Sequence, residues 1–534
     1  MPCLKKIKKM ITTTDKYNIA VITRGHSIAS WQYAVLKNVL AIEGVSLSTL
    51  LLKHTSSKKP PLAVQFLHHI ERYLYHCQPH YFTDKAIDDL LGHADVYDLA
   101  NTSLPDLGEI DFIINFTEAL LADDLLIQPK LGVWSIFIGD DEKVKSQLTA
   151  VNDFISENDV VTMGLQIETL SGTPNITLYQ SNTSVDMASL CRTAEQCLHK
   201  TSYFIPHYLN QLKVSELPKP ISFAQEKLAK NEVSKRDSAC LVWQSIKRIT
   251  KKMDHKYRAK EQWALIYGEN SAENSLVANF NISSFKMLQP PEDRFWADPF
   301  VVTQDNKNYI FFEELLFERD LGHLSCMELY ADGSYSDPVK ILEKPHHLSY
   351  PFIFQHDNDF YMIPESGDAQ CVELYKCTSF PYQWEFEKKL ITNIRAYDST
   401  LFKHDGLWWL FACVADDEQC PSTEDLHLFY ADSPLSDDWQ AHPLNPIISD
   451  AASARPAGKI FSHNGKIYRP SQNCAASYGA GLNLCEITTL STDHYSEEII
   501  SQIFPDWDKR LKGLHTFNFN ENITVCDVII DNRK

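Results

Sequence analysis

The chain has no run of 18 apolar residues, so nothing in it reads as a helix that crosses a bilayer. Its 13 cysteines are scattered, with no C-x-x-C pair and no regular spacing. That pattern excludes the usual zinc frameworks and a dense disulfide scaffold. The basic start MPCLKKIKKM is not followed by an apolar leader. Together these absences predict reduced thiols in a cytoplasmic protein. No G-x-G-x-x-G turn follows the first strand-like segment, where Thr23-Arg24-Gly25-His26 carries one glycine. A dinucleotide fingerprint is missing, and no cofactor or metal is expected. Basic charge is short as well: 50 Lys and Arg stand against 70 Asp and Glu, a net charge of −20. Neutralising phosphates needs the opposite balance, which argues against nucleic acid as a partner.

What is present is a globular composition, 44% apolar and 22% charged, over 534 residues. That length predicts two or three domains. The second half repeats itself. A short pattern begins at Asp298-Pro299-Phe300, Tyr350-Pro351-Phe352, Asp398-Ser399-Thr400, Arg455-Pro456-Ala457 and His515-Thr516-Phe517. An aromatic follows in the first four copies (Tyr309, Tyr361, Trp409, Tyr468), and four residues later come Glu313, Glu365, Cys413 and Gln472. The fifth copy fades after Phe519. Each copy reads as a hairpin turning on Asp-Asn, Asp-Gly or Asn-Gly between apolar strands. A repeat of roughly 50–60 residues, rich in aromatic and β-branched residues, reads as one four-stranded propeller blade. Five copies predict a five-bladed β-propeller over 261–534, its start residues forming one polar layer at a channel mouth. The segment EQWALIY (261–267) reads as a strand that pairs with the last blade and closes the ring.

The first half is different. Strand-like segments at 18–23, 45–53, 110–116, 131–139, 160–168 and 175–180 alternate with helical periodicity near 29–42, 63–76 and 86–92, and two helices near 184–213 close the domain. This predicts an α/β domain over 17–215 with an open, mostly parallel sheet, behind a basic tail at 1–16. Residues 216–260 read as a linker. Within it Val242, Ile246, Ile249 and Met253 share a helical face ringed by Lys and Arg. That face predicts either peripheral contact with an anionic membrane, at the inner membrane face, or a packed helix with a solvated basic rim.

The carboxylates of the repeat carry the candidate chemistry. Asp298, Glu365 and Asp398 come from consecutive blades, with Glu313 and Glu314 in the first. Crowded carboxylates push one another's pKa values apart, as glycosidic bond cleavage or transfer requires. Asp298, Glu365 and Asp398 are the catalytic candidates, and Glu313 and Glu314 are candidates for binding substrate. Arg455 is a candidate for binding a carboxylate or phosphate. His347 and His515 are candidate proton carriers, and Trp296 and Tyr350, with Tyr397 and Trp408, candidate stacking surfaces for a glycan or nucleotide sugar. The alternative for each residue is a structural role in turns and blade packing.

Two resemblances sharpen this. The strand at 110–116, then Gly132-Val133-Trp134-Ser135, then Leu165-Gln166-Ile167, resembles the formyltransferase-like domain of methionyl-tRNA and sugar N-formyltransferases. In that alignment Ser135 falls where the family has Asn and Phe137 where it has His, and no Asp stands near Gly172. The resemblance implies the family's shape without formyl transfer, since neither side chain is a general base. Ala297-Asp298-Pro299 is similar to the opening blade of five-bladed glycosidases and fructosyltransferases, which implies Asp298 as base or nucleophile and Asp398 or Glu365 as its partners. The longer match is DRFWADPF (293–300), FFEE (311–314), HLSYPF (347–352), IPE (363–365) and SARPAG (453–458). It resembles the N-terminal region, outside the catalytic glycosyltransferase domain, of plant glucosamine inositolphosphorylceramide transferases, and bacterial proteins joining a formyltransferase-like domain to this propeller. It implies a part in building surface glycans or glycolipids. A glycan-binding scaffold and a surviving formyl- or acyltransferase are the competing readings.

Overall fold

The computed structural model describes residues 16–54, 62–75, 83–100, 105–117, 121–139, 149–170, 173–186, 188–214, 237, 239–247, 261–270 and 282–531. The basic tail and most of the 216–260 segment, including Ile249 and Met253, lie outside them. The chain divides into two compact units, Met1–Met253 and Asp254–Lys534.

The first unit is a seven-stranded sheet. Its order is Asp95–Asp98, Val45–Leu52, Tyr17–Thr23, Phe112–Asn115, Val133–Ile138, Val160–Glu168, Ile176–Ser184. The first five strands run parallel, Val160–Glu168 runs against them, and Ile176–Ser184 pairs antiparallel with Val160–Glu168. The central parallel strands Tyr17–Thr23, Phe112–Asn115 and Val133–Ile138 are apolar and largely buried, as strands covered on both faces are, whereas the edge strand Asp95–Asp98 is exposed to half-buried. Helices Ser30–Leu40 and Leu190–Val214 cover the sheet and share its core with Trp31, Phe112 and Trp134. Phe112 stacks on Trp134 with centroids 4.0 Å apart. Where the sequence predicts two helices near 184–213, one 25-residue helix runs through with Pro206 inside it. In the helix at 239–247 the buried residues are Leu241 and Ser245, and Leu241 joins the core of this unit. Ile246, expected on the apolar face, is 52% exposed, beside Trp243 at 68%.

The second unit is a five-bladed β-propeller. Blades one and two are the sheets Arg294–Leu342 and Ser349–Thr392, each of four strands in chain order. Blades three and four span Arg395–Ser449 and Phe461–Ile503. Blade five is built from both ends of the unit: Glu261–Glu269 pairs antiparallel with Ile523–Asp531 over nine residues, from Glu261↔Asp531 to Glu269↔Ile523. The hairpin turns are where the sequence places them. Asp305 and Asn306, Asp357 and Asn358, Asp405 and Gly406, and Asn464 and Gly465 all have positive φ, as two-residue turns between twisted strands require.

The repeat has a backbone cause. In the first three blades the inner strand carries a β-bulge at the start residue, seen as register shifts at Ala297/Phe300, Ser349/Phe352 and Tyr397/Thr400. Asp298, Tyr350 and Asp398 sit in these bulges with φ of 51°, 44° and 53°. A bulge re-aims a side chain without breaking the strand. Asp tolerates left-handed φ; Tyr rarely adopts it.

Candidate active site in the propeller channel

The five start residues form a layer that is nearly sealed: Asp298 is 3% exposed, Tyr350 0%, Asp398 1%, Arg455 6% and His515 2%. Behind it lies a second ring from the next strand of each blade, containing Glu313, Glu365, Cys413, Gln472 and Asp527, all buried. Sequence reading missed Asp527. The inner strand of blade five is short, Phe517–Phe519, so its partner strand begins early and the repeat spacing breaks.

Hydrogen bonds tie the layer together. Asp298 accepts from the Thr516 hydroxyl at 2.6 Å and the Tyr350 N–H at 3.2 Å. Its own N–H donates to Asp527 Oδ2 at 2.9 Å. Asp527 Oδ1 accepts the N–H groups of His515 and Thr516 at 3.0 and 2.9 Å. His515 Nδ1 lies 2.7 Å from Asp527 Oδ2, and Nε2 lies 3.7 Å from Asp298. Trp263 stacks on the His515 ring at 3.9 Å. Burial opposes the His515 charge, but Asp527 and Asp298 outweigh it and raise the imidazole to about 9. His515 is thus a held cation between two aspartates rather than a poised proton carrier. Asp298, His515 and Asp527 each bring a ligand atom within 4.8 Å of the others, which suits a cation geometrically. His515 already supplies positive charge there.

Asp398 is gripped by Arg455, with Nε at 2.6 Å and an Nη at 3.3 Å, and by Gln472 Nε2 at 2.8 Å. Arg455, expected to hold an anionic substrate group, is therefore occupied by the protein's own carboxylate. Glu365 accepts from the Gly367 N–H at 2.6 Å and the Ser349 hydroxyl at 3.0 Å. Glu313 Oε1 is buried with no well-aligned hydrogen bond, although His347 Nε2 lies 3.1 Å away. Burial pulls His347 down, and Glu313 more than reverses it, to about 9. Desolvation, then the neighbouring Asp398 and Glu313, push Asp298 up to about 7 against the pull of His515. Desolvation and Asp398 push Glu365 up to about 6, against the Gly367 N–H.

Three expected binding residues offer no surface to a ligand in the channel. Glu314 faces away from the channel, bonded to Arg294 Nη1 at 3.0 Å, Trp296 Nε1 at 3.2 Å, Ser325 Oγ at 2.8 Å and His323 Nε2 at 3.2 Å. Burial works against its charge, yet these donors hold its carboxyl down at about 2. Adjacent strand residues point to opposite faces, so Glu313 and Glu314 cannot both line the channel. Trp296 is packed against Phe312 and Tyr335 inside blade one and has no free face. Tyr350 is enclosed, its ring against Phe300 and its hydroxyl 2.8 Å from Thr400. The rings that do border the layer are Tyr397 and Tyr478, which flank Arg455 at 5.6 and 5.1 Å.

The first unit offers less room. Asn115, Thr117 and Ser135 line a cavity of about 10 Å³ with Trp31 and Trp134, room for about one water. The Ser135 hydroxyl accepts from Gln166 at 3.2 Å and Asn115 donates to Glu168 at 2.7 Å.

Several solved glycoside hydrolases share a distant likeness. The family 117 enzyme Zg3597 of Zobellia galactanivorans is 14% identical, with a TM-score of 0.33 over 45% of this chain and 85% of its own. The RS223 β-xylosidase is also 14% identical, at 0.31 over 46% and 95%. Glucosamine inositolphosphorylceramide transferase 1 of Oryza sativa subsp. japonica is 36% identical over 206 residues, 38% of this chain and 27% of that protein. The Arabidopsis thaliana protein of the same name is 32% identical over 209 residues, 38% and 27%. The chain thus spans about a quarter of the length of these relatives. Residues 260–522 match the family described as glucosamine inositolphosphorylceramide transferase 1, N-terminal, and the propeller is homologous to that region of the plant proteins.

Proposed function

We propose that this protein acts on a sugar in the making of a glycolipid or surface glycan, with the propeller channel as its site. The observation that carries the reading is the carboxylate cluster. Asp298 is raised to about 7 and Glu365 to about 6, beside an Asp398 locked to Arg455. One group then holds a proton while another is ionised near neutral pH, the condition for general acid–base work on a glycosidic bond. Asp298, which keeps its proton to the higher pH, acts as acid and Glu365, ionised first, as base or nucleophile, the reverse of the roles that the resemblance to five-bladed glycosidases implies. The homology to the N-terminal region of glucosamine inositolphosphorylceramide transferase 1 supports a lipid-linked sugar substrate. The test is incubation with nucleotide sugars and glycolipid acceptors, read by mass spectrometry. Asp298→Asn and Glu365→Gln should each lower turnover by about 10²–10⁴-fold. Full turnover in both variants would remove the assignment.

A second reading, a glycan-holding scaffold, is favoured by one specific observation: the layer is almost sealed and its carboxylates accept backbone N–H groups. Sugar binding without turnover in the same assay would select it. We read the first unit as formyltransferase-like in shape and silent in formyl transfer, because Ser135 and Phe137 offer no base.

A further inference from the structure

Four residues beyond the start layer, each inner strand contributes a second one: Val302, Phe354, Phe402, Lys459 and Phe519, all half-buried. This ring is apolar except for one ammonium. It borders a cavity of about 450 Å³ lined by Val302, Phe354, Gln355, Phe360, Lys459 and Phe519, among others. Small-molecule sites are concave, mostly apolar and carry a few placed polar groups, over roughly 300–1,000 Å³. The cavity falls in that size range but is more polar: apolar Val302, Phe354, Phe360 and Phe519 form part of its wall, and Lys459, Gln355, Asn520 and Asn522 bring polar groups to the rest.

Lys459 is the unusual member. Among the described residues it forms no ion pair, and Glu521, exposed at the rim, does not reach it. Burial alone lowers its ammonium to about 8. A cation buried without a counter-charge is costly unless something supplies one. Its backbone is fixed in place. The Lys459 N–H donates to Asn518 Oδ1 at 2.8 Å. Gly458 precedes it at φ 144°, where a Cβ would sit 1.9 Å from the Phe517 carbonyl oxygen. Only glycine permits this approach, and the approach delivers Lys459 to the cavity.

We propose that this cavity is a second ligand site, taking a monosaccharide that bears a phosphate or carboxylate, with the anion on Lys459 and the ring face on Phe354 and Phe519. The anion follows from Lys459. The sugar rests on the reading of the channel as sugar-active, and Gln355 at the rim is placed to meet a hydroxyl.

Calorimetric titration of the full chain with glucose 6-phosphate, glucuronate, glucose and inorganic phosphate tests this. Either or both charged sugars should bind at least about tenfold more tightly than glucose, about 1.4 kcal/mol, and the tighter one identifies the anion. Lys459→Met should abolish that preference and Lys459→Arg should keep it. Equal binding of glucose, or a preference that survives Lys459→Met, overturns the site. Inorganic phosphate binding as tightly as glucose 6-phosphate overturns the sugar assignment. If Lys459→Met does not fold, the wild-type protein decides: the better charged sugar should slow acetylation of Lys459 at pH 8 several-fold, read by peptide mass spectrometry. An unchanged acetylation rate overturns the proposal. Turnover at Asp298 is read separately, so failure here leaves the channel assignment standing, and the converse.

Discussion

Both units bury a polar cluster inside an apolar frame, and the two clusters differ in kind. In the first unit, amides and hydroxyls around Ser135 and Asn115 meet one carboxylate, Glu168, beside a space for about one water. In the propeller, five carboxylates stand in two adjacent rings, Asp298 and Asp398 with Arg455 and a cationic His515 in the first and Glu313, Glu365 and Asp527 in the second. The first kind of cluster fixes a sheet. The second stores charge that cannot relax without moving a proton. That contrast is why the sugar chemistry is assigned to the channel.

The comparison breaks most visibly at Arg455. Arg455→Met strands Asp398 without its buried partner and should cost about 3–5 kcal/mol, read from the urea midpoint of the full chain. A loss below about 1 kcal/mol would mean that Asp398 is compensated by water, and the layer is wetter than its burial implies.

Proton linkage is the next largest effect. Asp298 and Glu365 titrate higher in the folded state (about 7 and about 6) than at their ordinary 3.8 and 4.5. The folded state therefore binds more protons between those values. Their contribution to stability is complete below about pH 4 and is lost as pH rises through 6 and 7. His515, raised from 6.5 to about 9, loses its own contribution over that interval. Glu314, held at about 2 rather than 4.5, contributes above pH 4.5 and loses it as pH falls. The propeller Tm should decline from pH 5 to pH 9, and Asp298→Asn should flatten the limb below pH 7. A Tm that rises over this range would contradict the assigned charges.

Ser135→Ala sharpens the other side. It removes one acceptor from Gln166 and should cost about 0.5–1.5 kcal/mol, with no pH dependence and no formyl transfer from a folate donor in either protein. Measurable transfer would restore the first unit as an enzyme. The smallest effect concerns the exposed Trp243 and Ile246 beside Lys247. If this segment meets a membrane, anionic vesicles should retain the protein at low salt, with about 1 kcal/mol per nearby Lys or Arg. Trp243→Ser should weaken retention. No retention leaves a helix packed on its own unit, as Leu241 already is.

Much of the propeller was legible because one blade is one unit of pattern, and its turns need residues that accept positive φ. The start residues recur for a reason no periodicity states: in three blades they occupy bulges, where a left-handed backbone turns the side chain. What stayed hidden depends on which neighbours meet. Arg455 and Asp398 lie 57 residues apart in sequence, and nothing local says that they pair. Glu313 and Glu314 look alike in a carboxylate count, yet the pleat sends one to the channel and the other to Arg294. Trp296 and Tyr350 read as stacking surfaces by residue type; packing against Phe312 and Phe300 consumes their faces. In the first unit six of the seven strands of the sheet were legible; the short edge strand Asp95–Asp98, with acidic ends and no apolar run, was not, nor was the unbroken helix through Pro206, since proline normally ends one.

The closure of blade five also sets an order of events during synthesis. Asn270 and Thr524, at the edge of the closing pair, hydrogen-bond across 254 residues of chain. At translation rates of about 5–20 residues per second, the strand at 261–269 waits roughly 10–50 s on the ribosome for its partner. Through that interval Trp263, Leu265 and Ile266 offer an open strand edge to any neighbouring nascent chain. The wait for the ring's last clasp is therefore its period of greatest exposure to mispairing.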